Sequence, residues 1–144
     1  MEPLHHDVRQ LTFAGRRSGE GYFSRDGRQI VFQSEREPGN PFYQIYRMDL
    51  VTGETTRVST GRGRTTCAWI HPEAGDVLFA STHLDPEALD EQRRELEERA
   101  GGGSRRYAWG FDEHYDLFLA RADGTLERLT DAPGYDAEGS FSPD

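Results

Sequence analysis

The feature that most constrains the fold of this chain is an internal repeat. The phrases EGYFSRDGRQIVFQS, CAWIHPEAGDVLFAS and EGSFSPD begin at Glu20, Cys67 and Glu138, so the copies are spaced by 47 and then by 71 residues. A second landmark has the same two spacings, because LTF, VST and LTD begin at residues 11, 58 and 129. Two landmarks with shared offsets predict successive units of one structural type.

Each unit carries the signals of four short strands. In the first unit, residues 20–24 precede an Asp-Gly turn at Gly27 and an apolar run, and residues 44–50 and 55–59 are joined by a turn that contains Gly53. Continuous apolarity in the second strand predicts burial on both faces. The second unit repeats the plan at residues 66–70, 77–81, 116–121 and 126–130. Four strands in 40 to 50 residues are typical of a β-propeller blade.

The longer second spacing is explained by an insertion in the second unit, residues 84–110. It predicts a helix over residues 87–99, with Asp85 as the N-cap, Pro86 as the first helical residue and glycines at the end. Its narrow apolar stripe, Leu89 and Leu96, is expected to rest on a blade while the charged remainder faces water. Replacing the helix by a short loop is then expected to leave stability nearly unchanged. The alternative is a helix that binds a partner.

The repeated phrases also resemble those of a known family. FSRDG and FSPD, followed by QIYRMDL or DLFLARADG and then by RVST or RLTD, are similar to the WD-repeat-like blades of the TolB-type propeller family. The resemblance covers about residues 8–144 and implies an all-β fold, an open partial propeller of four-stranded antiparallel blades with one helical insertion. The second unit departs from the pattern at the His71–Gly75 turn, where the family has Ser-Pro-Asp-Gly.

The resemblance places the whole chain, residues 1–144, in one partial propeller domain. We expect an outer strand of a preceding blade at residues 8–13, blades at 20–59 and 66–130, and the start of a further blade at 138–144. A closed ring of this type has six or more blades, so we expect the chain to be a fragment. Its end blades would have bare faces, which predicts self-association or marginal stability of the isolated chain.

Charge and hydropathy exclude several classes of partner. A formal net charge of -9 is repelled by nucleic acid and by anionic lipid. No apolar run approaches the roughly 18 residues that a membrane span needs. The N-terminus shows no secretory signal, whereas the family resemblance implies a periplasmic location.

The predicted binding site lies where the inner strands begin. Inner strands of a propeller line its central channel, so we expect Glu20, Cys67, Asp136 and Glu138 near one channel mouth. Their negative potential favours a cationic partner, such as a peptide amine or an Arg or Lys side chain.

Two histidines that flank the insertion, His83 and His114, complete the predicted site. With neighbouring carboxylates they have the chemistry to hold a divalent cation. Their spacing matches no fixed metal motif, and solvated loops gather such residues in any case. We therefore predict no metal and no cofactor.

The sequence carries no recognisable catalytic motif. The stretch from Gly15 to Gly19 has the wrong spacing for a nucleophile elbow. The resemblance implies a non-catalytic module that binds a protein or peptide. The alternative is the substrate-gating N-terminal propeller of a prolyl-oligopeptidase-like peptidase or a metallopeptidase, whose catalytic domain would lie beyond Asp144.

Overall fold

Two four-stranded sheets and one helix make up the structure, a computed structural model that describes residues 7–102 and 111–142. The first sheet contains β1 (Arg17–Phe23), β2 (Gln29–Glu35), β3 (Gln44–Asp49) and β4 (Thr55–Arg57). The second sheet contains β5 (Thr65–Ile70), β6 (Val77–Ser81), β7 (Asp116–Ala120) and β8 (Leu126–Arg128), with α1 (Ala88–Ala100) between β6 and β7. Both sheets are antiparallel and keep the strands in chain order. The predicted all-β architecture with one helical insertion is confirmed.

The strand boundaries differ from the predicted ones at both edges of a sheet. β1 begins at Arg17 rather than Glu20, because Arg17 and Ser18 pair with Glu35 and Ser34 of β2. The outer strands β4 and β8 have three residues each and stop two residues earlier than predicted. Short outer strands leave few unpaired backbone groups at the sheet edge.

The two terminal segments form no strand in the structure. Residues 8–13, predicted as an outer strand, pair with no strand in the described part of the chain, and the Thr12 hydroxyl instead accepts a hydrogen bond from Arg36 at 2.7 Å. Residues 138–142 also lack a ladder. The last two residues of the predicted segment 138–144 and residues 103–110 of the insertion lie outside the described residues.

A shared core joins the two sheets. Val31 and Ile45 of the first sheet are fully buried against four apolar residues of the second sheet, Ala68, Val77, Phe79 and Phe118. The opposite face of the first sheet carries a second cluster, formed by Ile30, Phe32, Tyr46 and Met48. Burial on both faces explains the continuous apolar run of β2.

The insertion helix contacts the first sheet through polar residues, which corrects the predicted apolar stripe. Leu89 is 54% exposed and Leu96 is 39% exposed, whereas Ala88 and Gln92 are buried. The Gln92 side chain accepts a hydrogen bond from the Gly63 N–H at 2.7 Å and donates one to the Gly39 carbonyl at 3.3 Å. The apolar residues face outward because these backbone groups need polar partners.

A buried carboxylate fixes the end of the same helix. Arg99 lies 2.6 Å from Glu35 of β2, and it donates to the Pro41 carbonyl at 3.0 Å. Arg17 of β1 lies 2.8 Å from the other oxygen of Glu35. The insertion of the second sheet therefore closes over the first sheet and links the two.

The start of the helix also differs by one residue from the prediction. α1 begins at Ala88, and the Asp85 side chain accepts a hydrogen bond from the Glu87 N–H at 2.9 Å. Asp85 thus caps the turn before the helix, and the predicted stop at the glycines is confirmed by Gly101 and by Gly102, whose φ is 80°. No helix within the described ranges has the length and apolarity to cross a membrane.

Candidate functional site

The predicted site centres on a backbone feature that the three repeats share. Glu20, Cys67 and Glu138 have φ values of 44°, 52° and 61°, in the left-handed region that side chains with a Cβ rarely adopt. In β1 and β5 the feature is a β-bulge, since the register shifts between Gly19 and Tyr22 and again between Thr66 and Trp69. Strained positions of this kind are held by the surrounding structure and occur often at functional sites.

The repeat brings two of these side chains into contact. The Cys67 sulfur lies 3.8 Å from a carboxylate oxygen of Glu20. Partial burial, together with the negative charges of Glu20 and Glu138, raises the pKa of the Cys67 thiol. These surroundings therefore favour the thiol over the thiolate, which is the nucleophilic form. Glu20 and Glu138 are exposed to solvent.

Small residues follow each of the strained positions. Ala68 is buried in the core shared by the two sheets, and a Cβ at Gly139 would lie 3.1 Å from Leu78 and 3.2 Å from Leu117. In the second and third units the inner segment therefore packs against the preceding sheet at this point. Gly21 is the equivalent residue of the first unit.

Asp136 is held by a hydrogen bond that the preceding unit also makes. Its N–H donates to the Tyr115 carbonyl at 2.9 Å, as the Thr65 N–H donates to the Tyr43 carbonyl at 3.2 Å. This shared bond places residues 136–142 against the second sheet as β5 lies against the first. Residues 136–142 thus lie where the inner segment of a third unit was predicted, although they form no strand.

The structure places the two predicted histidines in other surroundings. His83 is buried against Phe118, with ring centroids 4.3 Å apart, and its Nδ1 lies 2.9 Å from the Ser81 hydroxyl. Burial lowers the pKa of His83. The Nδ1 of His114 lies 3.3 Å from Asp112 and 3.9 Å from Asp85, before the helix. Neither histidine contacts Glu20 or Cys67, because each packs within the insertion side of the second sheet.

No group of three or more His, Cys, Asp and Glu side chains in residues 7–102 and 111–142 is arranged to hold a metal ion. The carboxylates of the predicted site are those of Glu20, Asp136 and Glu138, and the Cys67 thiol lies 3.8 Å from that of Glu20. The arrangement suits recognition of positive charge.

Sequence reasoning missed a set of arginine and aromatic contacts at the start of the inner strands. The Arg17 guanidinium lies 4.5 Å from the centre of the Tyr43 ring, and that of Arg64 lies 4.4 Å from the centre of the Phe42 ring. Each contact contributes roughly 0.5–1 kcal/mol at an exposed site. The signal was available, since Arg17 and Arg64 are separated by the same 47 residues as the repeats.

The geometry defines the class: the two sheets are consecutive blades of an open, partial β-propeller with one helical insertion. Solved structures of TolB proteins share this architecture, and the fold is TolB-like. A structure described as a putative TolB from Agrobacterium tumefaciens is 22% identical, with a TM-score of 0.58, and the match covers 86% of this chain and 37% of that one.

A second structure, TolB from Acinetobacter baumannii, gives the same TM-score of 0.58 at 25% identity, covering 92% of this chain and 26% of that one. The chain therefore spans little more than a third of the length of the first TolB structure and about a quarter of the second. No family model matches the sequence. No curated protein matches it either.

Proposed function

We propose that this chain is part of a non-catalytic, TolB-like propeller that binds a cationic segment of a protein partner at the mouth formed by Glu20, Cys67 and Glu138. One observation supports the proposal above others: the three repeats hold these residues in the same strained conformation, and the Glu20 carboxylate meets the Cys67 thiol at 3.8 Å. Asp136, two residues before Glu138, adds a further negative charge. Likeness to the TolB structures favours a periplasmic location for the whole protein.

The chemistry of the site supports binding rather than catalysis. The thiol has a raised pKa and so is a poor nucleophile, and the buried His83 lies apart from it against Phe118. An exposed pair of carboxylates instead attracts an Arg or Lys side chain. No contact within the described residues favours the alternative of a peptidase propeller, whose test is the downstream reading frame.

Binding of a fluorescein-labelled pentalysine peptide, followed by fluorescence anisotropy, tests the proposal. Glu20→Gln combined with Glu138→Gln should raise the Kd by about fivefold, since each exposed ion pair contributes up to about 1 kcal/mol. The control combines Glu54→Gln with Glu73→Gln, which removes the same charge from exposed turns. It should change the Kd by no more than about twofold. Equal losses in both variants would show that only net charge matters.

A further inference from the structure

A histidine at the start of the insertion is packed into the core and is not used by the proposed binding site. His83 is buried, with its ring on Phe118 at 4.3 Å between centroids. The hydroxyl of Ser81, which is also buried, accepts a hydrogen bond from the His83 N–H at 3.2 Å and lies 2.9 Å from Nδ1 of the ring. A hydroxyl has one proton to donate, and among the described contacts Nδ1 is its acceptor. The neutral ring, with its own proton on Nε2, satisfies this arrangement.

Charged groups from three neighbouring elements face His83: Arg62 of the loop before β5, Asp116 of β7 and Arg128 of β8. Asp116 pairs with Arg128 at 2.6 Å, so these two charges largely cancel. Within residues 7–102 and 111–142, Arg62 binds an uncharged group instead, the Asp85 carbonyl at 3.0 Å. The Asp85 carboxylate, the charge on the histidine's own segment, lies 3.9 Å from His114. Positive charge therefore prevails around His83, and burial together with Arg62 lowers its pKa.

Arg62 belongs to a loop that anchors the insertion. We call residues 62–64 the anchor loop and residues 82–85 the base of the insertion. Thr82 donates to and accepts from the last residue of the anchor loop, at 3.0 Å and 3.1 Å. Gly63 of the same loop donates to Gln92 of α1 at 2.7 Å. The anchor loop thus joins the base to the helix, so a displacement of Arg62 affects both.

We propose that His83 makes the docking of the insertion sensitive to pH: the neutral ring holds the base on the anchor loop, and protonation shifts the base and α1 toward a released state. The added proton takes Nδ1, so the buried Ser81 hydroxyl loses its acceptor. The imidazolium also repels Arg62, which holds the Asp85 carbonyl. All of these groups belong to the second sheet, its insertion and the loop that precedes them, and the device is independent of binding at the mouth.

The direction of the response follows from the lowered pKa of His83. In the released state the ring has the ordinary pKa of about 6.5 and binds a proton more readily than in the docked state. Docking is therefore independent of pH well above this value, and it weakens as the pH falls below it. At about pH 5 the released state gains by at most about thirtyfold, the ratio of charged to neutral histidine at that pH.

Hydrogen exchange measured by mass spectrometry at about pH 7.5 and about pH 5 tests the release. After correction for intrinsic exchange rates, peptides from α1 should lose protection severalfold at the lower pH, whereas those from β2 and β6 should not. Unchanged protection of α1 would overturn the proposal. An equal loss in all three elements would also overturn it, since the chain would then unfold as a whole.

A pair of asparagine variants assigns the response to one histidine. His83→Asn keeps an acceptor for the Ser81 hydroxyl but binds no proton, so the protection of α1 should be the same at both pH values. His114→Asn is the matched control, because His114 lies beside the same base with its side chain 47% exposed, and it should keep the response of the unmodified chain. Retention of the response in His83→Asn, or its loss in His114→Asn, would contradict the assignment to His83.

An NMR titration of the unmodified chain gives a readout that does not depend on a variant keeping its fold. The His83 ring signals, assigned through their contact with the Phe118 ring, should titrate below the ordinary value of about 6.5. In Arg62→Gln, which keeps a donor for the Asp85 carbonyl but lacks the charge, the titration should move to higher pH. Titration of His83 at or above the ordinary value, or no movement in Arg62→Gln, would overturn the proposal.

Discussion

At the scale of single residues, the left-handed backbone of Glu20, Cys67 and Glu138 distinguishes the inner segments from regular strands. A residue with a Cβ loses roughly 1–2 kcal/mol in the left-handed region, and only glycine avoids this cost. None of the three positions has glycine, although the next position does in the first and third units. The proposed recognition of a cationic partner would explain why side chains stand at positions where they reduce stability.

The strain leads to a prediction about glycine. Glu20→Gly should be more stable than Glu20→Ala by about 1 kcal/mol, because alanine keeps the Cβ that the left-handed conformation disfavours. At Thr56, an exposed residue of β4, the order should reverse, since glycine weakens a regular strand. Urea denaturation of the four variants measures both differences. If alanine were more stable than glycine at both positions, Glu20 would not be strained.

At the scale of secondary structure elements, α1 acts as a link between the sheets. Its inward residues, Gln92 and Arg99, bind backbone groups and a carboxylate of the neighbouring unit rather than apolar side chains. These contacts reverse the expectation that the helix can be replaced without loss. Buried polar groups that lose a partner are costly, so the helix stabilises the interface.

Arg99→Ala should lower the free energy of unfolding by about 2 kcal/mol, because it leaves a buried oxygen of Glu35 with only the exposed Arg16, at 4.0 Å, among the described residues. Arg93→Ala is the matched control on the solvent side of the same helix, where Arg93 is 64% exposed and pairs only with Asp90 and Glu97. Its effect should stay within about 0.5 kcal/mol. Urea denaturation of the two variants measures both effects. Equal losses of stability would exclude a specific link through Glu35.

At the scale of the whole molecule, the two sheets share one core and should behave as one unit. Val31 and Ile45 of the first sheet are buried in a cluster with Ala68, Val77, Phe79 and Phe118 of the second sheet. Small domains with a shared core unfold in a single cooperative step. The two units are therefore expected to lose their structure together.

A substitution in the first sheet tests this coupling through a probe in the second. Val31→Ala should lower the free energy of unfolding by about 2 kcal/mol. With Trp109 replaced by Phe, Trp69 is the remaining tryptophan; a further Tyr22→Leu substitution removes the β1 ring that stacks on Trp69 at 4.1 Å, so that its fluorescence reports on the second sheet. Its transition should shift with the circular dichroism of the whole chain. A fluorescence midpoint that does not move would show that the sheets unfold separately.

How much the sequence could reveal depended on whether a feature is local. The repeat spacing predicted both sheets, and the glycines at Gly27 and Gly53 marked hairpin turns, whose φ values are 69° and 76°. Such signals lie within a few residues of the structure they specify.

Features that depend on distant parts of the chain were not predictable in the same way. The side of α1 that packs on the first sheet is set by the contacts of Arg99 with Glu35 and Pro41, which precede Arg99 by more than fifty residues. The apolar pattern of Leu89 and Leu96 could not reveal it, since polar contacts decide the orientation. His83 likewise looked like a loop residue but packs on Phe118, which follows the whole insertion.

The bulge in β1 also fixes how the strand can be counted. Three steps along β1, from Gly19 to Tyr22, match two steps along β2, from Gln33 to Val31. The odd-even alternation of side chains therefore changes phase at Glu20, and residues of opposite parity share a face on its two sides. Deleting one residue there would match two steps of β1 with two steps of β2, so the earlier side chains of the strand, including Arg17, would keep their faces. The bulge therefore holds one residue more than the register of the sheet requires, and the side chain of Glu20 at that position is exposed.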